Sequence, residues 1–222
     1  LLWEELPSCV GKWPGHREVI IAIYSLKGGS GKTTISLLIA QYLLSKGHSV
    51  TLLDSDTNQK SMTDWVNNNP IKTPCYLIEK ELTSSDLTTF IDTDYVIIDG
   101  SPRTNDYIKN ILLLSDYVLI PVQPTQIAIA SLLQDNHLSM LADVEKQKPS
   151  IKINTVINGR TQHNIKDVQD VKEVLESVGL NTLATLGQRK AFVIDYDKPF
   201  MQCKNSKALN ELGYLVDKML ER

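Results

Sequence analysis

The sequence predicts a single three-layer α/β domain, in which a mostly parallel, twisted, doubly wound sheet is flanked by helices. Two observations carry this. Short runs that are apolar on both faces alternate along the chain with stretches of helical periodicity, as strands covered on both sides require. A glycine-rich segment, Gly28 to Gly31, stands directly between the first such run and the first helical stretch. At 222 residues the chain is long enough to bury one full core, and it contains no internal repeat, low-complexity segment or linker.

Val19 to Tyr24 (VIIAIY) is β-branched and apolar on both faces, the character of a central parallel strand. Thr33 to Lys46 has apolar residues at helical spacing and is ended by Gly47, a residue suited to the left-handed position after a helix. Val50 to Leu53 is the second strand and runs into Asp54-Ser55-Asp56. Tyr95 to Ile98 is a third buried strand, running into Asp99, and Tyr117 to Ile120 and Ile151 to Ile157 repeat the pattern. Between them, helices are predicted over Ser61–Asn68, Asp106–Leu114, Ile127–Asp143 and Val168–Val178. A last amphipathic helix over Ser206–Glu221 carries Leu209, Leu212, Leu215, Val216 and Met219 on one face. Residues 1–18 contain two tryptophans and two prolines without the basic and apolar regions of a signal peptide, and read as a leader outside the core domain of 19–222.

The segment Leu26-Lys27-Gly28-Gly29-Ser30-Gly31-Lys32-Thr33-Thr34 follows a buried strand and opens a helix, the context of a phosphate-cradling loop. Its glycines let the backbone N–H groups of Gly28, Gly29, Ser30 and Gly31 converge on phosphates, and the helix N-terminus adds partial positive charge. In such a loop Lys32 pairs with the β/γ-phosphates, the Thr33 hydroxyl completes a Mg²⁺ shell, and Thr34 donates to the α-phosphate. The ordinary pattern demands glycine at position 26, where this chain has Leu26, with a second lysine, Lys27, beside it. Asp99 closes the apolar run Tyr95-Val96-Ile97-Ile98, so its carboxylate is placed to hold Mg²⁺ and to couple it to the loop Gly100 to Thr104.

The segment K-G-G-x-G-K-T-T resembles the deviant Walker A motif of the ParA/MinD family of ATPases, and the similarity extends from Val19 over nearly the whole chain. It is most like the small ParA-type partition proteins that lack an N-terminal helix-turn-helix domain, since only 18 residues precede the first strand. The resemblance implies ATP and Mg²⁺ as cofactors and a homodimer in the ATP state. It further implies that Lys27 reaches across a sandwich dimer to the partner's ATP, so that the nucleotide becomes the glue. Asp54 to Trp65 resembles the family's D-x-D-P-Q-x-S…W stretch, with Thr57-Asn58 in place of Pro-Gln. By that resemblance Asp56 orients the attacking water and Asp54 lies near the magnesium shell. Catalytic roles therefore fall on Lys27, Lys32 and Asp56, and metal-holding roles on Thr33, Asp54 and Asp99.

Asn158, at the end of a strand, matches the position where the family recognises the adenine edge, although an Asn-Gly pair is equally a β-turn signal. Pro121 to Thr125 resembles the proline-bearing loop that borders the family's dimer face. The family binds double-stranded DNA without sequence preference through basic residues of its C-terminal part. The candidates are Arg189, Lys190, Lys204 and Lys207, with Arg160 next; a solvated, mildly basic face is the alternative.

The formal net charge of −3 does not announce a nucleic-acid binder, so any such contact must be local. Cys9, Cys75 and Cys203 are scattered, which fits free thiols and not a disulfide framework or a shared metal cluster. His16, His48, His137 and His163 sit in polar contexts that suggest surface residues. The resemblance thus implies a cytoplasmic, nucleoid-associated partition ATPase. Its partners are DNA and a small centromere-binding adaptor protein that stimulates slow hydrolysis. A MinD-like membrane ATPase is the alternative, disfavoured because the sequence ends at Met219-Leu220-Glu221-Arg222 inside the last helix, so no stable membrane association is expected. An ATPase of this kind that positions another cargo, such as a conjugation complex, is a further reading.

Overall fold

The computed structural model describes residues 18–69, 73–85, 87, 93–102, 106–192 and 205–221. Among these the strands are β1 (Val19–Ile23), β2 (Val50–Asp54), β3 (Cys75–Leu77), β4 (Tyr95–Asp99), β5 (Tyr117–Val122), β6 (Lys152–Arg160) and β7 (Asn181–Gly187). The helices are α1 (Lys32–Ser45), α2 (Ser61–Asn67), α3 (Asp106–Leu114), α4 (Gln126–Leu132), α5 (Asp135–Gln147), α6 (Ile165–Ser177) and α7 (Ser206–Leu220). The strands form one sheet in the order β3-β2-β4-β1-β5-β6-β7, and neighbours pair in parallel throughout.

The sheet separates two apolar cores. Ile21 and Ile23 of β1 and Ile97 of β4 face one core with α1, α2 and α7; Ala22, Tyr24, Val96 and Ile98 face the other, with α3 to α6. Successive side chains of a strand point to opposite faces, so burying both faces demands the unbroken apolar runs seen in the sequence. Helix α1 is buried over most of its circumference, from Ile35 to Leu43. It ends where the Gly47 N–H donates to the Leu44 carbonyl and the His48 N–H to the Leu43 carbonyl, with Gly47 at φ +86°. That paired closure satisfies two orphan carbonyls and needs a left-handed residue, which glycine supplies.

The edge strands β3 and β7 are missing from the sequence reading because both are partly exposed and carry no continuous apolar run. The stretch predicted as one helix over Ile127–Asp143 is two, α4 and α5, with Gln134 extended between them. Across this break the His137 ring donates from Nδ1 to the Leu132 carbonyl at 2.9 Å. His137 is therefore not a surface residue: it is fully buried, edge-on to Tyr24, and burial lowers its pKa so that it stays neutral.

Three strand ends lie level at the carboxyl edge of the sheet: Ile23 is in register with Asp99, and Asp99 with Asp54. The chain leaving β4 stays pressed against β1, where the Gly100 N–H donates to the Ile23 carbonyl at 2.8 Å. A Cβ on Gly100 would meet that same carbonyl oxygen at 2.8 Å, a backbone clash that no rotamer relieves. Gly100→Ala is therefore expected to cost about 1–3 kcal/mol, the range of overpacking a tight core. An unchanged urea midpoint would contradict this close approach.

Candidate functional site

The loop joining β1 to α1 is anchored before it turns. Leu26, the residue that departs from the ordinary phosphate-loop pattern, packs half-buried against the core that holds α3 to α6. The Lys27 N–H donates to Ser25 Oγ at 3.3 Å. Gly29 and Gly31 take φ of +73° and +97°, and Gly31 caps α1 without a side chain, so the first N–H groups of the helix open into the site.

A cleft of about 360 Å³ lies over this loop, lined by Gly28, Gly29, Gly31, Lys32, Thr33, Thr34, Asp56 and Asp99. The structure thus brings together most of the residues expected to hold phosphate, metal and water. Ser30 is buried beneath them, and its carbonyl accepts from Asn158 Nδ2 at 3.1 Å. Lys32 is buried and donates from Nζ to the Lys27 carbonyl at 3.3 Å. Burial lowers its pKa, while the nearby Asp99 and Asp56 carboxylates work against that shift.

The aspartates divide by environment. Asp54 is fully buried, and both of its oxygens serve protein donors: Oδ1 accepts from the Asp56 N–H, and Oδ2 from the N–H and Oγ1 of Thr63. Thr63 lies in the first turn of α2, whose own cap position is Lys60 at φ +49° with no side-chain cap. Asp54 thus does the capping of α2 from a neighbouring strand, a use of its oxygens that competes with the metal role the resemblance implies. Asp99 is different. Oδ2 accepts from Thr33 Oγ1 at 2.5 Å, and Oδ1 is buried with no partner among the described residues. An unshared carboxylate oxygen beside a threonine hydroxyl is a hard oxygen donor set of the kind Mg²⁺ takes, so these two residues fit the implied ion. Asp56, half-buried at the cleft wall, accepts from the Gln59 N–H at 3.3 Å.

A second, more open cleft of about 620 Å³ adjoins the first through Thr34 and is lined by Asn158, Pro124, Gly187 and Phe192 among others. Asn158 thus lines the second cleft while its amide is held on the phosphate loop. Of the basic candidates, Arg189 forms a fork with Glu211 of α7, from Nε at 2.9 Å and Nη2 at 2.5 Å, and Arg160 reaches the same carboxylate at 3.3 Å. Burial opposes ionisation of Glu211, yet the Arg189 guanidinium and the Gly187 N–H hold its pKa below the usual value. Lys190 and Lys207 are exposed, whereas Lys204 lies outside the described residues, as do residues 103–105 of the loop after Asp99.

Sequence reasoning passed over Gln123, which accepts from Lys27 Nζ and donates to the Gly29 carbonyl, each at 3.1 Å. Its place just after β5, at the edge where ligands collect, was the available signal. It also missed that Trp65 is buried at the cleft wall.

The profile of the CobQ/CobB/MinD/ParA nucleotide binding domain matches residues 21–199. The chain belongs to this family. A relative in Halothiobacillus neapolitanus, the maintenance of carboxysome distribution protein A, is 28% identical over 185 residues, covering 79% of this chain and 82% of that one. The fold is shared with a Borrelia burgdorferi B31 protein assigned to plasmid partition and bound to AMPPNP, at TM-score 0.69 and 23% identity over 92% of this chain and 98% of that one. It is shared too with the septum site-determining protein MinD of Pyrococcus horikoshii, complexed with Mg-ADP, at TM-score 0.65 and 15% identity over 92% and 97%. The seven-stranded parallel sheet and its flanking helices are those of a ParA/MinD P-loop domain.

Burial pushes the Asp99 carboxyl up to about 7 from its ordinary 3.8, and the Thr33 hydrogen bond only partly offsets this. Below the ordinary value the group is protonated in folded and unfolded chains alike and makes no difference to stability. As pH rises towards 7 the unfolded chain gives up this proton while the folded chain keeps it, so the group subtracts stability; above 7 the penalty is constant. In magnesium-free buffer Asp99→Asn is expected to gain stability relative to the parent chain as pH rises, levelling off above neutrality. Urea unfolding of both proteins across that range checks it, and a pH-independent difference would contradict the buried, unpaired state of Oδ1.

Proposed function

We propose that this chain is a magnesium-dependent ATPase of the ParA partition type. ATP binding closes a sandwich of two copies that holds double-stranded DNA without sequence preference. Slow hydrolysis, stimulated by a small centromere-binding adaptor protein, releases it. The observation that carries the reading is the pair of lysines on one phosphate loop: Lys32 is buried and lines the cleft, and Lys27 is half-buried with its ammonium on Gln123, outside the cleft lining. One lysine suffices for a nucleotide held within a single chain. A second, on a loop whose glycines leave its flank open, suits two anionic nucleotides brought face to face.

The placement of the chain's own groups supports a role for each. Lys32 and the N-terminus of α1 neutralise the β- and γ-phosphates, and Thr34 donates to the α-phosphate. Asp56 accepts a proton-bearing edge of a water and aims its oxygen at the γ-phosphorus, in line with the bond to the β-phosphate that breaks. Thr33 and Asp99 would hold magnesium, which when bound supplies further charge neutralisation at the phosphates. Asn158, in the second cleft beside the phosphate loop, supports adenine recognition by its carboxamide.

Exposed Lys190 and Lys207, with Arg160 and Arg189 sharing one carboxylate, support a local DNA-contacting face on a chain of net negative charge. Such a protein works on the nucleoid in the cytoplasm. Among the described residues no helix is long and apolar enough to cross a membrane. A second reading, in which the same dimer positions a protein assembly, is favoured by the relative named for carboxysome distribution.

Lys32→Ala is expected to weaken ATP binding by at least about 100-fold, from the loss of charge-assisted phosphate contacts; near-normal affinity by calorimetry would refute the site. Asp56→Ala should still bind ATP and dimerise by light scattering while hydrolysing poorly. Binding to random-sequence DNA should require ATP and fall steeply with salt, and the Lys190→Ala/Lys207→Ala double variant should flatten that salt slope by about 2 per protomer. A salt-independent or ATP-independent shift would sink the DNA reading.

A further inference from the structure

Gln123 uses the two ends of one carboxamide on the phosphate loop: Oε1 accepts from Lys27 Nζ and Nε2 donates to the Gly29 carbonyl, each at 3.1 Å. Few side chains can do this. A carboxylate would only accept and would repel the Gly29 carbonyl, whereas lysine and arginine only donate. The backbone of Lys27 is fixed on both sides, its N–H on Ser25 Oγ and its carbonyl on Lys32 Nζ. What remains free to choose is the Lys27 ammonium, and Gln123 is where it lies.

We propose that Gln123 is a positioning residue that keeps Lys27 in its own subunit and thereby sets the protein concentration at which two nucleotide-loaded copies close. The proposal rests on the reading above, that Lys27 reaches the partner's nucleotide. An ammonium extended towards a facing copy must let go of Gln123, so closure includes the loss of this bond. A partly solvated hydrogen bond from an ammonium to a neutral amide weights an equilibrium by roughly 3- to 10-fold. A two-fold dimer must break two of them, one per copy, so the effect on its dissociation constant is the square, roughly 10- to 100-fold. Gln123 lines the second cleft and directly precedes Pro124, so the same residue that holds the lysine sits on the loop flanking the site.

The test is the monomer–dimer equilibrium of the full chain loaded with AMPPNP, measured by analytical ultracentrifugation. Gln123→Ala, with Gln123→Met as the volume-matched variant, is expected to dimerise about 10- to 100-fold more tightly than the parent. Lys27→Ala should dimerise poorly, and adding Gln123→Ala to it should change nothing further. A Gln123 variant that dimerises as the parent does, or less tightly, overturns the proposal. So does a gain that persists in the Lys27→Ala background, which would place the effect at Gly29. Loss of AMPPNP binding in both Gln123 variants would assign the residue to the shape of the loop instead and overturn it as well. If Lys27→Ala itself dimerises like the parent, the cross-subunit reading fails and this proposal with it. That outcome is distinct from a failure of the Gln123 hold alone, in which Lys27→Ala is defective and Gln123→Ala is unchanged.

Discussion

Because helices cover both faces of the sheet, the side chains along β1, β2 and β4 are almost all buried, and polar groups can meet a ligand only where the strands stop. Ile23, Asp54 and Asp99 stop level with one another, so two carboxylates are carried to the same buried edge. A carboxylate taken out of water must be compensated by donors or must hold its proton. Asp54 is compensated: donors from Asp56 and Thr63 occupy both of its oxygens. Asp99 is only half compensated, with one oxygen on Thr33 and one without a partner among the described residues. The two therefore differ in environment: Asp54 is tied into the turn that carries Asp56, whereas Asp99 keeps an oxygen with bonding capacity for the proposed ion.

How far this could be read from the chain depends on the sequence distance over which each feature is made. β1, the glycine loop and α1 are consecutive, and Asp99 closes its own strand, so local pattern sufficed for all of them. That Asp54 also caps α2 was not legible, because its partner Thr63 stands nine positions along, inside the next helix. Arg189 looked like a free cation because Glu211, which holds it, lies on the last helix. His137 has polar neighbours in sequence, yet the chain breaks its helix just before it and folds the ring over the Leu132 carbonyl. The edge strands escaped notice because partial exposure removes the apolar run that marks the central ones.

The Glu211 cluster also limits what the basic face can do as it stands. One carboxylate serves two guanidinium groups and the Gly187 N–H, tying the exit of β7 to α7. Much of the field of Arg160 and Arg189 is thereby cancelled locally, whereas Lys190 and Lys207 stand exposed. In the proposed DNA contact, long-range attraction would rest first on the lysines, and the arginines would act only at contact distance, where a phosphate competes for the fork.

The phosphate loop itself is held from behind. Gly29 and Ser30 present successive carbonyls, and each accepts from a carboxamide at a neighbouring strand end: Gln123 after β5 and Asn158 in β6. In a trans peptide the N–H points opposite to the C=O. Tying these carbonyls back therefore turns the N–H groups of Ser30 and Gly31 away from Gln123 and Asn158, into the cleft. Two amides thus back the loop from the side away from the cleft, and one of them also holds Lys27. Helix α1, buried around most of its surface, cannot swing to accommodate a ligand. Adjustment at the site has to come through these side chains and the loops that carry them, and this is why the departure from the ordinary motif at Leu26 and Lys27 matters: the leucine fixes the loop to the core while the lysine beside it stays free to change partners.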